Sequence, residues 1–517
     1  MEEVLILGAG AAGLAAARAL ATAGLRVTVL EARERIGGRV YTHHDDSLPV
    51  PIELGAEFVH GRHPGLMEVL EKSSIPFCDV TERHWYFENG KISSSHEFWN
   101  TLTALMDLMD LNQADRSFKT FLDSLPDNEK IQQAKAAASL FVEGFHAASI
   151  DRIGVHGLIK AKEAEEETDA DYSFRVIGGY DLVMKRLHQE AVDAGAVFHL
   201  NTIVREIRWR NKHVEAICAT VAGEQAFAAS RAIITLPLGV LQARNDETNI
   251  RTGSGPGSPA GQPGCGGGGD RTSTEVQGPT SNAQSLSTRG AVCFLPELPA
   301  DKQKAIRSIV MGQVVRVVMR FRRRFWEELD LPGVGARKDL AELGFIHLSE
   351  AAIPTWWTLL HIRAPILVGW TGGPSAENLI SQIAQETLLN QDSEPHEQSG
   401  SPSQHQTSQD GQVGASYRNI MLNKAIKSLH QIFRVSESQL REELVACYTH
   451  DWHSDPFARG AYAYLPVDGL ELQQTLGLPV DSTLYFAGEA ISLGHIGTVH
   501  GAIDTGQRAA RQILEIV

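Results

Sequence analysis

The strongest constraint on this chain lies in its first 31 residues. "VLIL" at 4–7 is an apolar run of strand length, and "GAGAAG" follows with Gly8, Gly10 and Gly13 in G-x-G-x-x-G spacing. "LAAARALATAG" then predicts a helix that ends near Gly24, and residues 25–30 return to strand before meeting an acid, Glu31. Each part has a physical reason. Gly8 permits a tight turn, Gly10 lets backbone approach a pyrophosphate, and Gly13, next to Ala12, lets the helix pack against the sheet. The helix N-terminus faces phosphates, and Glu31 can accept from a ribose hydroxyl. In this strand–turn–helix–strand context the glycines predict a dinucleotide site.

At 517 residues the chain exceeds one small core, which predicts at least two domains. Lys and Arg total 47 against 63 Asp and Glu, a net charge of −16 that argues against nucleic acid as the main partner and mildly favours a cationic small molecule. Five cysteines (Cys78, Cys218, Cys265, Cys293 and Cys447) are scattered without a C-x-x-C, which fits a reducing compartment and predicts no metal site. The nucleotide strand begins at Val4, and no apolar run reaches membrane-span length. The expectation is a cytoplasmic protein with no membrane contact; the sequence leaves its oligomeric state open.

Residues 244–290 and 389–415 are rich in Gly, Ser, Pro and Gln, with almost no large apolar residue. Both read as flexible surface loops. Residues 97–146 and 151–167 have helical patterning, whereas 196–219, 231–236 and 313–321 are β-rich.

A nicotinamide site needs little after Glu31. Here the chain continues "ARERIGGRV" and then "IELGAEFVHG" at 52–61. Near the other end lies "LYFAGEAISLGHIGTVHGAIDTGQRAA" at 484–510, preceded by "THDWHSDPFARGAYAYLP" at 449–466. This combination resembles the flavin amine oxidase family, FAD enzymes of monoamine and polyamine oxidase type. The resemblance covers most of the chain outside the two loops. It implies a glutathione-reductase-like α/β fold: a Rossmann domain that binds FAD, interleaved with an α+β substrate domain. The expected FAD domain is 1–75, 178–243 and 447–517, and the substrate domain is 76–177 and 290–446. The positions implied to hold FAD are Gly8, Gly10, Ala12, Gly13, Glu31, Ala32, Arg33, Gly38, Arg39, Gly55, Ala56, Glu57, Phe58, Val204, Gly488, Glu489, Thr498 and Val499. Glu57 is expected at the flavin edge, through its backbone as much as its carboxylate.

Amine oxidation needs few catalytic side chains, because the cofactor carries the hard chemistry. By the resemblance, Tyr462 is one tyrosine of an aromatic cage, and Thr498 takes the second cage position, as in the "TVHGA" of polyamine oxidases and histone demethylases. The cage is then half open. His60 matches a substrate-orienting histidine of animal polyamine oxidases. Ala461 stands where mitochondrial monoamine oxidases carry a flavin-linked cysteine, so FAD is expected to be non-covalent. Arg316 stands where the family has a lysine that reaches the flavin through a water. Arginine keeps the charge but cannot accept a proton. It either anchors that water, the favoured reading because no second cation adjoins it in "QVVRVVM", or binds a substrate carboxylate; a slow oxidase is the third reading. Trp356 and Trp357 read equally as core or as cavity wall.

The implied reaction oxidises a primary amine or polyamine to an imine and then an aldehyde, and reduces molecular oxygen to hydrogen peroxide. The rival readings are a desaturase or porphyrinogen-oxidase-type flavoenzyme and a low-turnover flavin-binding scaffold. No module precedes the nucleotide strand and no long helical insertion interrupts the chain, so a small amine is expected rather than a chromatin tail.

Overall fold

The strands that bracket the glycine turn sit in the middle of a five-stranded parallel sheet. Its order is Val197–His199, Arg26–Leu30, Glu3–Leu7, Arg231–Ile234, Leu484–Phe486. The computed structural model describes residues 2–81, 83–88, 91–93, 96–169, 172–243, 291–329, 340–392 and 409–517. "VLIL" has no polar alternation because both faces of its strand are covered. Val4 and Ile6 pack under the helices Ala11–Thr22, Asp181–Asp193 and Val499–Leu514. Leu5 and Leu7 point the other way, onto a four-stranded sheet ordered Gly223–Ala229, His213–Thr220, Ile203–Arg210, Cys293–Leu295. The first and last helices touch closely: a Cβ on Gly506 would lie 2.1 Å from the Ala12 carbonyl oxygen.

A second layer is a seven-stranded sheet in which Val314–Phe321 lies between Leu444–Thr449 and Ile366–Gly372, followed by Thr355–Thr358, Phe345–His347, His84–Glu88 and Lys91–Ser93. Its far face packs on the helices Gly373–Asp392 and Gln409–Phe433. The helices His96–Met106, Phe118–Asp123, Glu129–Phe145 and Val155–Glu167 gather into a third cluster.

Two expected boundaries shift. Residues 293–309 lie with the nucleotide half, because Cys293–Leu295 pairs with Glu206–Arg208 and the helix Ala300–Ser308 buries Ala305 and Ile306 in the same core. Residues 447–449 belong to the large sheet, where Cys447 faces Met319. The stretch 244–290 lies outside the described residues, as does 393–408. The rest of the second expected loop is helical, since helices anchored by Leu379 and Ile383, and by Ile420 and Met421, run on into it. Among the described residues no helix is long and apolar enough to cross a membrane.

Candidate active site

The site lies where the carboxyl ends of the parallel strands meet the returning C-terminal segment, the usual position for a ligand in an open α/β sheet. Gly8, Gly10, Ala32, Arg33, Gly38, Arg39, Gly55, Ala56, Gly488, Thr498 and Val499 are half-buried, whereas Ala12 and Gly13 are buried in the helix. Gly13 is forced by packing, since a Cβ there would sit 2.0 Å from the Gly8 carbonyl oxygen. The turn of "GGR" closes on the first glycine turn through a 2.8 Å bond from the Gly37 N–H to the Ala9 carbonyl. Gly10 caps its helix with no side-chain acceptor, so that helix end offers backbone N–H groups to a ligand.

Glu31 accepts from the N–H of Ala9 at 2.7 Å and of Arg33 at 2.9 Å. Burial pushes its carboxyl up, and these two N–H groups oppose the rise. Two ion pairs tie the N-terminal motif to the C-terminal one. Arg33 meets Asp455 at 2.8 Å, and Arg39 meets Glu489 at 2.8 Å. Glu489 also accepts from the N–H of Gly497 and of Ala463. Val204 sits at a register shift where its strand bulges, and Thr202 beside it donates to the Glu31 carbonyl. Beside Gly488, whose φ is +145°, a Cβ would meet nothing within 4 Å. A cavity lined by Arg39, Thr235, Pro237, Gly488 and Glu489 opens there. The open backbone at Gly488, the uncapped helix end and the buried acid fit an elongated dinucleotide.

The structure joins Tyr462 and His60 through a residue the sequence reading missed, Phe145, and sets Thr498 directly after the turn that Tyr462 packs on. The Tyr462 hydroxyl donates to the Phe145 carbonyl. The Phe145 ring meets His60 edge-on at 5.7 Å and stacks on Phe141 at 5.0 Å. The Tyr462 ring lies against the Gly497 turn, 2.7 Å from where a Cβ would be, directly before Thr498. Burial and the nearby Glu489 push the Tyr462 phenol up, so it stays protonated. Thr498 contributes its side chain to the fold: its hydroxyl accepts from the Gly501 N–H and donates to the His495 carbonyl, capping the last helix. Phe145 is 41% exposed, so it stands at an opening.

Arg316 and Glu57 depart from expectation. A second cation does adjoin Arg316: Glu57 bridges it to Arg175, which donates to the carboxylate at 2.8 and 2.6 Å. Arg316 also donates from Nε to the Glu53 carbonyl at 2.7 Å. Glu57 therefore turns its carboxylate into the protein, which leaves only its backbone for a ligand. Burial alone would raise the Glu57 carboxyl, but Arg175 and Arg316 outweigh it and hold the group below its ordinary range. Trp357 completes the cluster through Nε1, 3.2 and 3.3 Å from the two Glu57 oxygens, and Phe58 packs on its ring at 5.5 Å. Trp356 is core, with its N–H on the Ile353 carbonyl. Glu53 accepts from the Tyr180 N–H and pairs with the Thr42 hydroxyl; burial, with Glu57 adding to it, pushes Glu53 up to about 8. Among the described residues no group of His, Cys, Asp and Glu could hold a metal.

A family model described as flavin containing amine oxidoreductase matches residues 11–256, 279–391 and 418–514. The chain belongs to that family, whose cofactor is a flavin. Among curated relatives it is 27% identical to "Lysine-specific histone demethylase 1 homolog 2" of Oryza sativa subsp. japonica over 99% of its length, spanning 57% of that protein. It is 26% identical to rice "Polyamine oxidase 4", covering 98% of this chain and 88% of the relative. Solved structures of putrescine oxidase bound to putrescine (TM-score 0.68, 20% identity, 99% of each chain) and of cyclohexylamine oxidase from Brevibacterium oxydans IH-35A (TM-score 0.67, 18% identity, 100% and 99%) share the fold.

Proposed function

We propose that the chain oxidises a small primary amine or polyamine to an imine, which hydrolyses to an aldehyde, while molecular oxygen is reduced to hydrogen peroxide. The observation that carries this reading is the contiguous wall of His60, Phe145, Tyr462 and the Gly497–Thr498 turn, set beside the segment anchored by Glu489. FAD, when bound, supplies the acceptor for the hydride on the carbon next to nitrogen. Glu31 would hold its ribose, the helix end at Gly10 and Arg39 its pyrophosphate, the Val204 backbone its adenine, and the turns at Gly55–Phe58, Gly488–Glu489 and Thr498–Val499 the remainder. Ala461 offers no thiol, so the binding is non-covalent. Tyr462 and Phe145 orient the amine and exclude water, and His60 meets its nitrogen. The reading places the protein in the cytoplasm as a soluble enzyme.

Anaerobic mixing with putrescine, spermidine, benzylamine and cyclohexylamine tests the proposal. At least one should bleach the yellow absorbance and, once air is admitted, yield peroxide and the matching aldehyde. A flavoprotein that none of them reduces refutes it.

A further inference from the structure

The cluster around Glu57 has the donor set of a carboxylate-binding site. Two guanidinium groups and an indole N–H converge on one carboxylate whose side chain is 1% exposed. Guanidinium forks and ring N–H groups are how proteins recognise carboxylate ligands. Two arginines against one ionised Glu57, with Glu53 beside them neutral below about pH 8, leave one net positive charge buried there. A cavity lined by Pro51, Glu53, Glu57, Arg175, Arg316 and Leu359 lies next to the cluster. The cluster also adjoins the amine wall. Arg316 pairs across the sheet with Trp370, so the two side chains share a face. Trp370 packs in the small core that holds Ala461 and Tyr462.

We infer that Glu57 fills, from within the chain, a carboxylate site built by Arg175, Arg316 and Trp357, and thereby restricts the enzyme to amines that lack a carboxylate. The filled site stands on the geometry alone; its effect on substrate choice rests on the amine-oxidase reading. An amino acid would have to displace Glu57 from four donors that are already satisfied, at the cost of leaving that glutamate buried and unpaired.

The test is chemical rescue of Glu57→Ala in the full chain. Truncation leaves two buried cations unpaired and should lower Tm by roughly 5–10 °C. Sodium formate or acetate, against sodium chloride at equal ionic strength, should recover at least half of that loss in the variant and shift the wild type no more than chloride does. Equal responses to formate and chloride overturn the inference. If Glu57→Ala does not fold, the wild type still decides: cadaverine should raise its Tm and lysine should not. A lysine response that disappears in Arg316→Lys overturns the inference. Rescue by formate with no response to any amine would uphold the carboxylate site and refute the proposed activity.

Discussion

Replacing Glu53 by glutamine should make the protein's stability less dependent on pH. The acid is buried, accepts from the Tyr180 N–H at 2.7 Å and lies 2.7 Å from the Thr42 hydroxyl, which in turn accepts from the Asp181 N–H. Glutamine reproduces the protonated form: its carbonyl faces Tyr180 and its amide faces Thr42. The wild-type carboxyl is held at about 8 against an ordinary 4.5. At about 1.4 kcal/mol for each pH unit between the two, the ceiling is about 5 kcal/mol. Interior relaxation reduces this to about 2–4 kcal/mol. The sign follows from linkage. Between pH 4.5 and about 8 the folded state holds a proton that the unfolded state has lost, so this contribution is complete below 4.5 and is lost as pH rises through 8. Urea unfolding of wild type and Glu53→Gln at pH 5, 6, 7, 8 and 9 isolates the group, because other titrations cancel in the difference. Glu53→Gln should gain about 2–4 kcal/mol relative to wild type between the ends of the series. A difference that stays flat, or moves the other way, refutes a neutral Glu53 and with it the charge count of the cluster.

Acid precipitation should leave the yellow colour in the supernatant, and Glu31→Ala should weaken FAD binding by about 1–3 kcal/mol in a fluorescence titration. Lys302 is 3% exposed and its ammonium donates to the carbonyls of Thr475, Leu476 and Leu478 at the end of the helix Gly469–Gly477; Lys302→Met should cost about 2–3 kcal/mol in denaturant unfolding with flavin content retained at low denaturant. Phe145→Ala, at a 41% exposed position, should leave Tm nearly unchanged while raising KM for amines about 2–10-fold, the worth of one aromatic contact. An unchanged KM would remove Phe145 from the amine wall.

The parts that could be read from the sequence are those whose physics is local. The glycine turn, its helix and Glu31 lie within 31 residues, and the structure places them together. Arg39 and Glu489 were each expected as cofactor positions, but their ion pair spans 450 residues and nothing in either motif announces it. Arg175 was missed because a single arginine in "SFRV" looks like any edge-strand cation. Its partner stands 118 residues away, and burial comes only from the strands on either side. Glu57 was expected at the flavin edge from the family resemblance, through backbone as much as carboxylate, and the direction of its side chain is set by tertiary packing against Arg175 and Arg316. The Thr498 cap did have a local cue, a threonine directly before a helical run, which the cage comparison overrode.

The two long-range ion pairs also set an order of events during synthesis. At about 5–20 residues per second, Glu489 leaves the ribosome roughly 20–90 s after Arg39. Through that interval the helix Ala11–Thr22, with nine of its twelve residues destined for burial, has no Val499–Leu514 to pack against. The nucleotide crevice closes only once the last strand, Leu484–Phe486, joins the edge of the parallel sheet. Until then the helix Ala11–Thr22 can pack only against Asp181–Asp193, so the segment that carries Glu489 completes the nucleotide crevice late.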